Sequence, residues 1–223
     1  MPVLNWVKLP TAAINLSPGS HVLIDDVTWE QYEALLDDLG EDRRIPRINY
    51  CNGILELMSP LPAHERPHRI IAYIVTAILD AQNREWEDFG STTFRRPRKA
   101  GLEPDTCFYI ENAERVRSLM RMDMEKDPPP PPDLAIESDV TSKTTLDAYA
   151  TLQVPEVWLY DNDRLSIYLL HYQEYQLSAH SRAFPQIPIA TAIPKLVQDA
   201  IARGTSTMLR DLRHRIKTGD WDQ

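Results

Sequence analysis

Apolar side chains recur along this chain at two spacings, one typical of helices and the other of strands. Between residues 64 and 82 they fall three and four positions apart, which places them on one face of a helix. Thr28 and Gln31 match the capping-box pattern, so a helix is predicted from Thr28 to about Asp38, with Gly40 left-handed at its end. Shorter helical patterns predict helices near residues 112–119, 143–152, 194–202 and 205–217.

Hairpins and short strands complete the predicted elements. Asn52-Gly53 is a typical type I′ turn between two strand-like runs over residues 48–58. A second hairpin is predicted around residues 161–163. Single strands are predicted over residues 21–24, 89–94, 106–110 and 133–137. Strands in hairpins with helices on either side predict an α/β or α+β fold around a mixed sheet.

Length and proline content predict one main domain with an additional segment at each terminus. A chain of 223 residues can bury one sizeable core. Residues 1–20 are predicted to form an irregular arm, residues 21–175 the domain, and residues 176–223 a helical extension packed on it or trailing it. Residues 128–132 are consecutive prolines, a stiff connector that could mark a boundary. We interpret it as a spacer within the domain, because strands on both sides carry halves of one candidate site.

Net charge, the absence of long apolar runs and the cysteine content argue against several classes of protein. The formal net charge of −9 argues against coating nucleic acid through bulk electrostatics, although a nuclease can combine an acidic metal site with a local basic rim. The sequence has neither a signal-peptide pattern nor an apolar run long enough for a membrane span, so we expect a cytoplasmic protein. Cys51 and Cys107 are interpreted as buried free thiols, and the spacing of Cys and His does not fit a zinc site.

One basic stretch precedes the candidate site. Arg95, Arg96, Arg98 and Lys99 lie within five positions, and Asp105 comes six positions after Lys99. Such a stretch is typical of a solvated surface turn, and it also suits a rim that contacts nucleic-acid phosphates. Both interpretations stay open at the level of sequence.

Carboxylates on two predicted strands carry the candidate chemistry. Asp105 precedes the apolar run at residues 107–110. Side chains two apart on a strand point to the same face, so Asp133, Glu137 and Asp139 are expected to lie together. Clustered carboxylates repel one another, and a fold that gathers them usually does so around a divalent cation. The pattern therefore predicts metal-assisted hydrolysis.

A series of short motifs resembles the Uma-type family of restriction-endonuclease-like proteins, a cyanobacterial branch of the PD-(D/E)XK nuclease superfamily. The resemblance covers roughly residues 20–175. It is specific as a series, although each piece alone is weak. Its segments are residues 53–60, His64-Glu65, residues 89–94, Glu103-Pro104-Asp105, residues 107–110, Pro132-Asp133-Leu134-Ala135-Ile136-Glu137, Thr141-Ser142, Ala148-Tyr149-Ala150 and Val154-Pro155-Glu156-Val157-Trp158.

The resemblance implies an α/β restriction-endonuclease-like core, a central mixed sheet flanked by helices. It implies that Asp105 and Glu137 bind Mg²⁺ or Mn²⁺, and that helix residues such as Glu65 complete the ligands. His64 would hydrogen-bond a water on the metal. The lysine that usually stands two residues after the Glu is replaced here by Asp139.

That replacement leaves two alternatives for the catalytic base. Lys143, four residues further along, could reach back and stabilise negative charge on the phosphate. Otherwise the Asp139 carboxylate could orient the attacking water through the metal.

From the residues and the resemblance together, we expect a metal-dependent endonuclease that hydrolyses DNA. We expect a homodimer, because two strands of a duplex must be addressed and two-fold pairing is the commonest assembly. No organic cofactor is expected. The alternative is a catalytically degenerate member that acts as a binding or scaffold module, and a third option is a metal-dependent hydrolase of another phosphoester.

Overall fold

The computed structural model describes residues 15–40, 47–59, 62–120, 128–138 and 143–218, and the side chains of residues 62–65 and 143–144 are outside that description. Within these ranges the chain forms helices and strands that alternate along its length. None of the helices in these ranges is long and apolar enough to cross a membrane. The helices are α1 Trp29–Leu39, α2 Pro62–Ala81, α3 Ala113–Val116, α4 Lys143–Leu152, α5 Ile189–Arg203 and α6 Thr205–Thr218.

The strands divide between two sheets. Sheet A has the order β1-β3-β2-β6-β5 and is antiparallel. Sheet B has the order β11-β10-β9-β8-β7-β4, and it is mixed because β8 and β9 run parallel. The strands are β1 His21–Ile24, β2 Arg47–Cys51, β3 Ile54–Met58, β4 Glu87–Asp88, β5 Phe94–Arg96, β6 Ala100–Leu102, β7 Thr106–Tyr109, β8 Leu134–Ser138, β9 Glu156–Asp161, β10 Arg164–His171 and β11 Glu174–Ser178.

Among the described residues, three hydrophobic clusters hold these layers together. Helix α1 packs on one face of sheet A, and α2, α5 and α6 pack on one face of sheet B. The third cluster joins the facing sides of the two sheets and includes Ala148 and Tyr149 of α4. Polar side chains lie at the edge of this third cluster, between the sheets, and they form the candidate site.

The α/β class is confirmed, and two local predictions hold in detail. The Thr28 side chain accepts from the Gln31 N–H at 3.2 Å, and the Gln31 side chain accepts from the Thr28 N–H at 2.8 Å, so α1 begins with a capping box. Asn52 and Gly53 have φ angles of 48° and 88° and close the β2–β3 hairpin, as a type I′ turn requires. Gly40 ends α1 with a φ of 74°, but its ψ of 169° is extended and the left-handed prediction was wrong.

Other predictions differ from the structure. The strand predicted over residues 89–94 is wrong, because this segment turns after β4 and pairing resumes only at Phe94. The basic stretch spans the end of β5 and the β5–β6 turn, and Arg98 at the tip of this basic turn has a φ of 63°. Strand β11 was not predicted. Helix α5 begins at Ile189, five residues before the predicted start, and contains Pro194.

Candidate active site

Asp105 and Glu137 lie side by side because of the pairing of β7 with β8. These strands are antiparallel with Thr106 opposite Ile136, so the residue before β7 faces the end of β8. The Asp105 carboxylate accepts hydrogen bonds from the Ser138 N–H at 2.6 Å and from the Ser138 hydroxyl at 2.9 Å. The Asp105 N–H in turn donates to Glu137 Oε2 at 3.3 Å. Both side chains are buried, and each holds the other element in register.

Glu137 is an acid whose ionisation is opposed by its surroundings. Burial raises the pKa of its carboxyl to about 7, and the charge of Glu56 adds to the rise. A hydrogen bond from the Tyr149 hydroxyl and the charge of Arg47 act in the other direction on this pKa. Tyr149 is fully buried on α4, which fixes the direction of one carboxylate oxygen of Glu137.

Glu56 is a third buried acid that the sequence analysis left without a role. It lies on β3 opposite Asn49 of β2, and its Oε2 accepts from the Asn49 amide at 3.4 Å and from the Thr145 hydroxyl at 3.2 Å. The signal was present, since Glu56 stands between Leu55 and Leu57 in an apolar strand and an acid there must find polar partners.

Arg47, at the start of β2, brings a positive charge into the same site. Its guanidinium forms an ion pair with Asp105, and its side chain is 13% exposed. The sequence did not predict Arg47 as a site residue, because it lies far from Asp105 along the chain and belongs to no recognisable motif.

His68, to which the sequence analysis assigned no role, lies inside the site. It is 1% exposed on α2, with Nδ1 at 3.3 Å from the Ser138 hydroxyl oxygen and 3.7 Å from the Asp105 carboxylate. Helix α2 thus contributes a buried imidazole behind Asp105. The apolar spacing that predicted α2 could not place this polar position.

Asp133 does not join the other carboxylates, contrary to the expectation that it shares their site. One of its oxygens accepts from the backbone N–H groups of Ile110, Glu111 and Asn112, and the other accepts from the Asn112 side chain. Asp133 therefore closes the turn after β7. Its role is structural.

Several predicted site residues lie outside the description. Asp139 is outside the described ranges, and so are the side chains of His64, Glu65 and Lys143. Their predicted roles remain predictions. Among the residues that the structure describes, Asp105 and Glu137 are the predicted acids that lie together.

The basic turn lies apart from the acids. Arg96 donates to the carbonyl of Thr151 at 2.7 Å, and Arg95 lies 3.7 Å from the Glu33 carboxylate. Arg98 and Lys99 are exposed at the tip. The turn and the prolines at 128–132 line a shallow groove on the surface. The opposite end of β6 leads directly to Asp105, so one strand connects the turn to the site.

The donor set fits a magnesium-type ion in its chemistry. Among the residues that the structure describes, no group of three or more His, Cys, Asp or Glu side chains is arranged to hold a metal. Mg²⁺, however, is often held by one or two carboxylates, with waters and substrate phosphates as the other ligands. Asp105 and Glu137 supply such a pair, and their hydrogen bonds to Ser138 and Tyr149 give them the outer support that metal ligands require.

The chain is similar to known proteins in both sequence pattern and fold. A family model described as "Putative restriction endonuclease" matches residues 29–202. The crystal structure of a protein titled a putative nuclease belonging to DUF820, from Anabaena variabilis, aligns with a TM-score of 0.51 at 15% sequence identity, covering 82% of this chain and 99% of that chain. At this identity the likeness shows the fold alone. No curated protein matches the chain.

Proposed function

Because this chain belongs to the Uma2 family of restriction-endonuclease-like proteins, we propose that it is an endonuclease that hydrolyses DNA phosphodiester bonds with Mg²⁺ or Mn²⁺. The observation that carries the proposal is the hydrogen-bonded contact of Asp105 with Glu137. The family resemblance implies that these two acids bind the metal, and they are buried together at the ends of paired strands.

In this proposal each described side chain has a separate task. Asp105 and Glu137 would hold the ion, which when bound would supply Lewis-acid activation of the phosphate and lower the pKa of a water. Ser138 and Tyr149 fix the two carboxylates through their hydrogen bonds. His68 lies behind Asp105 and Ser138 and is a positioning residue, since its burial prevents direct contact with a substrate.

The basic turn is proposed to contact the phosphates of DNA beside the cleaved bond. Arg96 pairs with Ala100 in the β5–β6 hairpin, and Asp105 follows Ala100 by five positions, so the two lie at most about 17 Å apart. Arg95, Arg96, Arg98 and Lys99 would then bind the backbone a few nucleotides away and position the duplex without reading its sequence. Local attraction of this kind is compatible with the acidic net charge.

We also propose that the protein works as a homodimer in the cytoplasm. Each chain carries one candidate site, and cleavage of both strands of a duplex requires two sites in opposite orientations. Two-fold pairing supplies that arrangement.

The second candidate function is a degenerate nuclease fold that acts as a binding or scaffold module. Two observations favour it, since Asp139 replaces the usual lysine and Arg47 already neutralises Asp105. A metal-dependent hydrolase of another phosphoester would keep metal binding and lack activity on DNA.

Calorimetric titration with Mn²⁺ separates the two metal-dependent candidates from the scaffold, and cleavage of plasmid DNA separates the two hydrolases from each other. Wild type is expected to bind Mn²⁺, and Asp105→Asn and Glu137→Gln are each expected to bind it at least about tenfold more weakly, because even a change outside the direct ligands typically costs that much. The control is Glu174→Gln, which removes an exposed acid on β11 and should bind as wild type does. Wild type that binds no Mn²⁺ would contradict the proposed function and favour the scaffold.

A further inference from the structure

The positive charge that this site needs comes from an unexpected element. Two residues after Glu137, where the family resemblance implies a lysine, this chain has Asp139. The structure places a guanidinium at Asp105 from β2, a strand of the other sheet. We propose that Arg47 provides the positive charge of the site and that it competes with the divalent ion for the Asp105 carboxylate. The inference deepens the proposed nuclease function and rests on it.

The register of β2 directs Arg47 into the site. Arg47 and Asn49 are two residues apart, so they share a face of the strand. Asn49 contacts Glu56 from that face, and the Arg47 guanidinium reaches Asp105. The residue between them, Ile48, is buried on the opposite face against α1. Because side chains alternate along β2, burial of Ile48 on one face directs Arg47 toward the acids on the other face. The contact of Arg47 with Asp105 therefore follows from the fold of the strand.

Arg47 acts on both acids of the pair. It contacts Asp105 directly, and its charge lowers the pKa of Glu137 against the effect of burial. Buried carboxylates are costly unless they are paired, and an arginine keeps its charge at every pH that the protein meets. The site is therefore compensated by a cation of its own when a metal ion is not bound.

Competition follows from this arrangement. A divalent ion held by Asp105 and Glu137 would offer the same compensation to the same oxygens that Arg47 now faces. Both cations are attracted to the Asp105 carboxylate, so each weakens the binding of the other to it. The guanidinium is also the side chain that best matches phosphate oxygens, which two parallel hydrogen bonds can bind. A nearby Arg47 would then stabilise negative charge on the reacting phosphate.

This double role predicts that binding and turnover change in opposite directions. Arg47→Gln is expected to bind Mn²⁺ about tenfold more tightly than wild type, because the competing cation is gone. Its plasmid cleavage is expected to fall by about 100-fold, because the charge at the phosphate is gone. In EDTA its melting temperature should fall below that of wild type, and Mn²⁺ should raise it by more degrees than it raises wild type.

Two further variants complete the experiment. Arg47→Lys keeps the charge without the fork of the guanidinium, so its Mn²⁺ affinity should stay within about threefold of wild type and its cleavage should lie between wild type and Arg47→Gln. It also serves if Arg47→Gln does not fold without metal. Arg164→Gln removes an exposed arginine from β10 and should match wild type in all three measurements.

Different results would contradict the proposed role of Arg47 and the proposed nuclease function on which it rests. If wild type binds Mn²⁺ and cleaves DNA while Arg47→Gln binds Mn²⁺ equally or more weakly, Arg47 does not compete for Asp105 and the inference fails alone. If Lys143→Gln loses cleavage and Arg47→Gln keeps it, the charge belongs to Lys143. If wild type neither binds Mn²⁺ nor cleaves DNA, the proposed function itself fails.

Discussion

At the scale of single residues, Glu137 shows how the fold alters ordinary chemistry. Its carboxyl is buried between the two sheets, and burial together with Glu56 raises its pKa from 4.5 to about 7. Tyr149 and Arg47 limit that rise. The carboxylate is thus held in an environment that favours its protonated form when a metal is not bound.

The raised pKa predicts a specific dependence of stability on pH. Between about pH 4.5 and pH 7 the folded protein binds a proton at Glu137 that the unfolded chain releases, so the free energy of unfolding falls as the pH rises. Glu137→Gln replaces the ionisable carboxyl by an amide, so the variant lacks this fall in the free energy of unfolding. Its free energy of unfolding, relative to wild type, should be about 3 kcal/mol higher at pH 8 than at pH 4.5.

Urea unfolding of both proteins in EDTA at the two pH values measures this difference. Glu174→Gln, which removes an exposed carboxyl, should show almost no change in its difference from wild type. A constant difference between Glu137→Gln and wild type across the range would mean that the Glu137 carboxyl ionises normally.

The sequence predicted Asp105 and Glu137, because each begins or ends a strand that a local motif marks. It did not predict Arg47, Glu56 or His68 as members of the site. His68 and Ser138 are 70 positions apart, and Glu56 and Thr145 are 89 apart. Contacts over such separations depend on how the sheets and helices pack, which no local pattern specifies.

At the scale of elements, close packing of α1 on sheet A depends on one glycine. A Cβ on Gly101 of β6 would lie 2.5 Å from Cζ of Tyr32 and still closer to its hydroxyl oxygen. Tyr32 is fully buried and stacks on Tyr50 at a centroid distance of 5.0 Å. The ring therefore has little room to move aside.

Gly101→Ala is expected to lower the free energy of unfolding by about 1 to 3 kcal/mol, because the added methyl group forces the Tyr32 ring or β6 to shift. Chemical denaturation measures the loss. The double variant with Tyr32→Phe should lose less than the sum of the two single variants, since the closest contact is gone. Stability of Gly101→Ala within about 0.5 kcal/mol of wild type would show that the packing is looser than the structure indicates.

Elements with a strong local signal were predicted well. The capping box of α1 and the Asn52-Gly53 turn depend on neighbouring residues alone, so their sequence is sufficient. The strand predicted over residues 89–94 failed for the opposite reason. Its β propensity was real, but the partner strand β6 pairs only with residues 94–96.

At the scale of the whole molecule, the largest core crosses the predicted domain limit at residue 175. Helices α5 and α6 contribute Ile193, Val197, Met208 and Leu212 to the cluster that covers one face of sheet B. Residues from β7, β8 and α2 belong to the same cluster. The C-terminal helices and the strands of the site therefore share one hydrophobic core.

Leu212→Ala is expected to lower the free energy of unfolding by about 2 to 4 kcal/mol, because the side chain is 2% exposed and its removal leaves a cavity. Ile201→Ala is the matched control on α5, and its side chain is 49% exposed, so the change should be below about 1 kcal/mol. Urea denaturation followed by tryptophan fluorescence compares the two. A loss below about 1 kcal/mol for Leu212→Ala as well would contradict a core shared between the C-terminal helices and sheet B.

Asp105 and Glu137 are the proposed active site of a metal-dependent nuclease. The decisive experiment is plasmid cleavage by purified wild type, Asp105→Asn and Glu137→Gln, with Mg²⁺ or Mn²⁺ and with EDTA. Wild type is expected to nick the plasmid only when the metal is present, and both variants are expected to lose at least about 100-fold in cleavage while their circular dichroism matches wild type. Cleavage by either variant at the wild-type rate, or by wild type in EDTA, would show that these acids are not a metal-dependent active site.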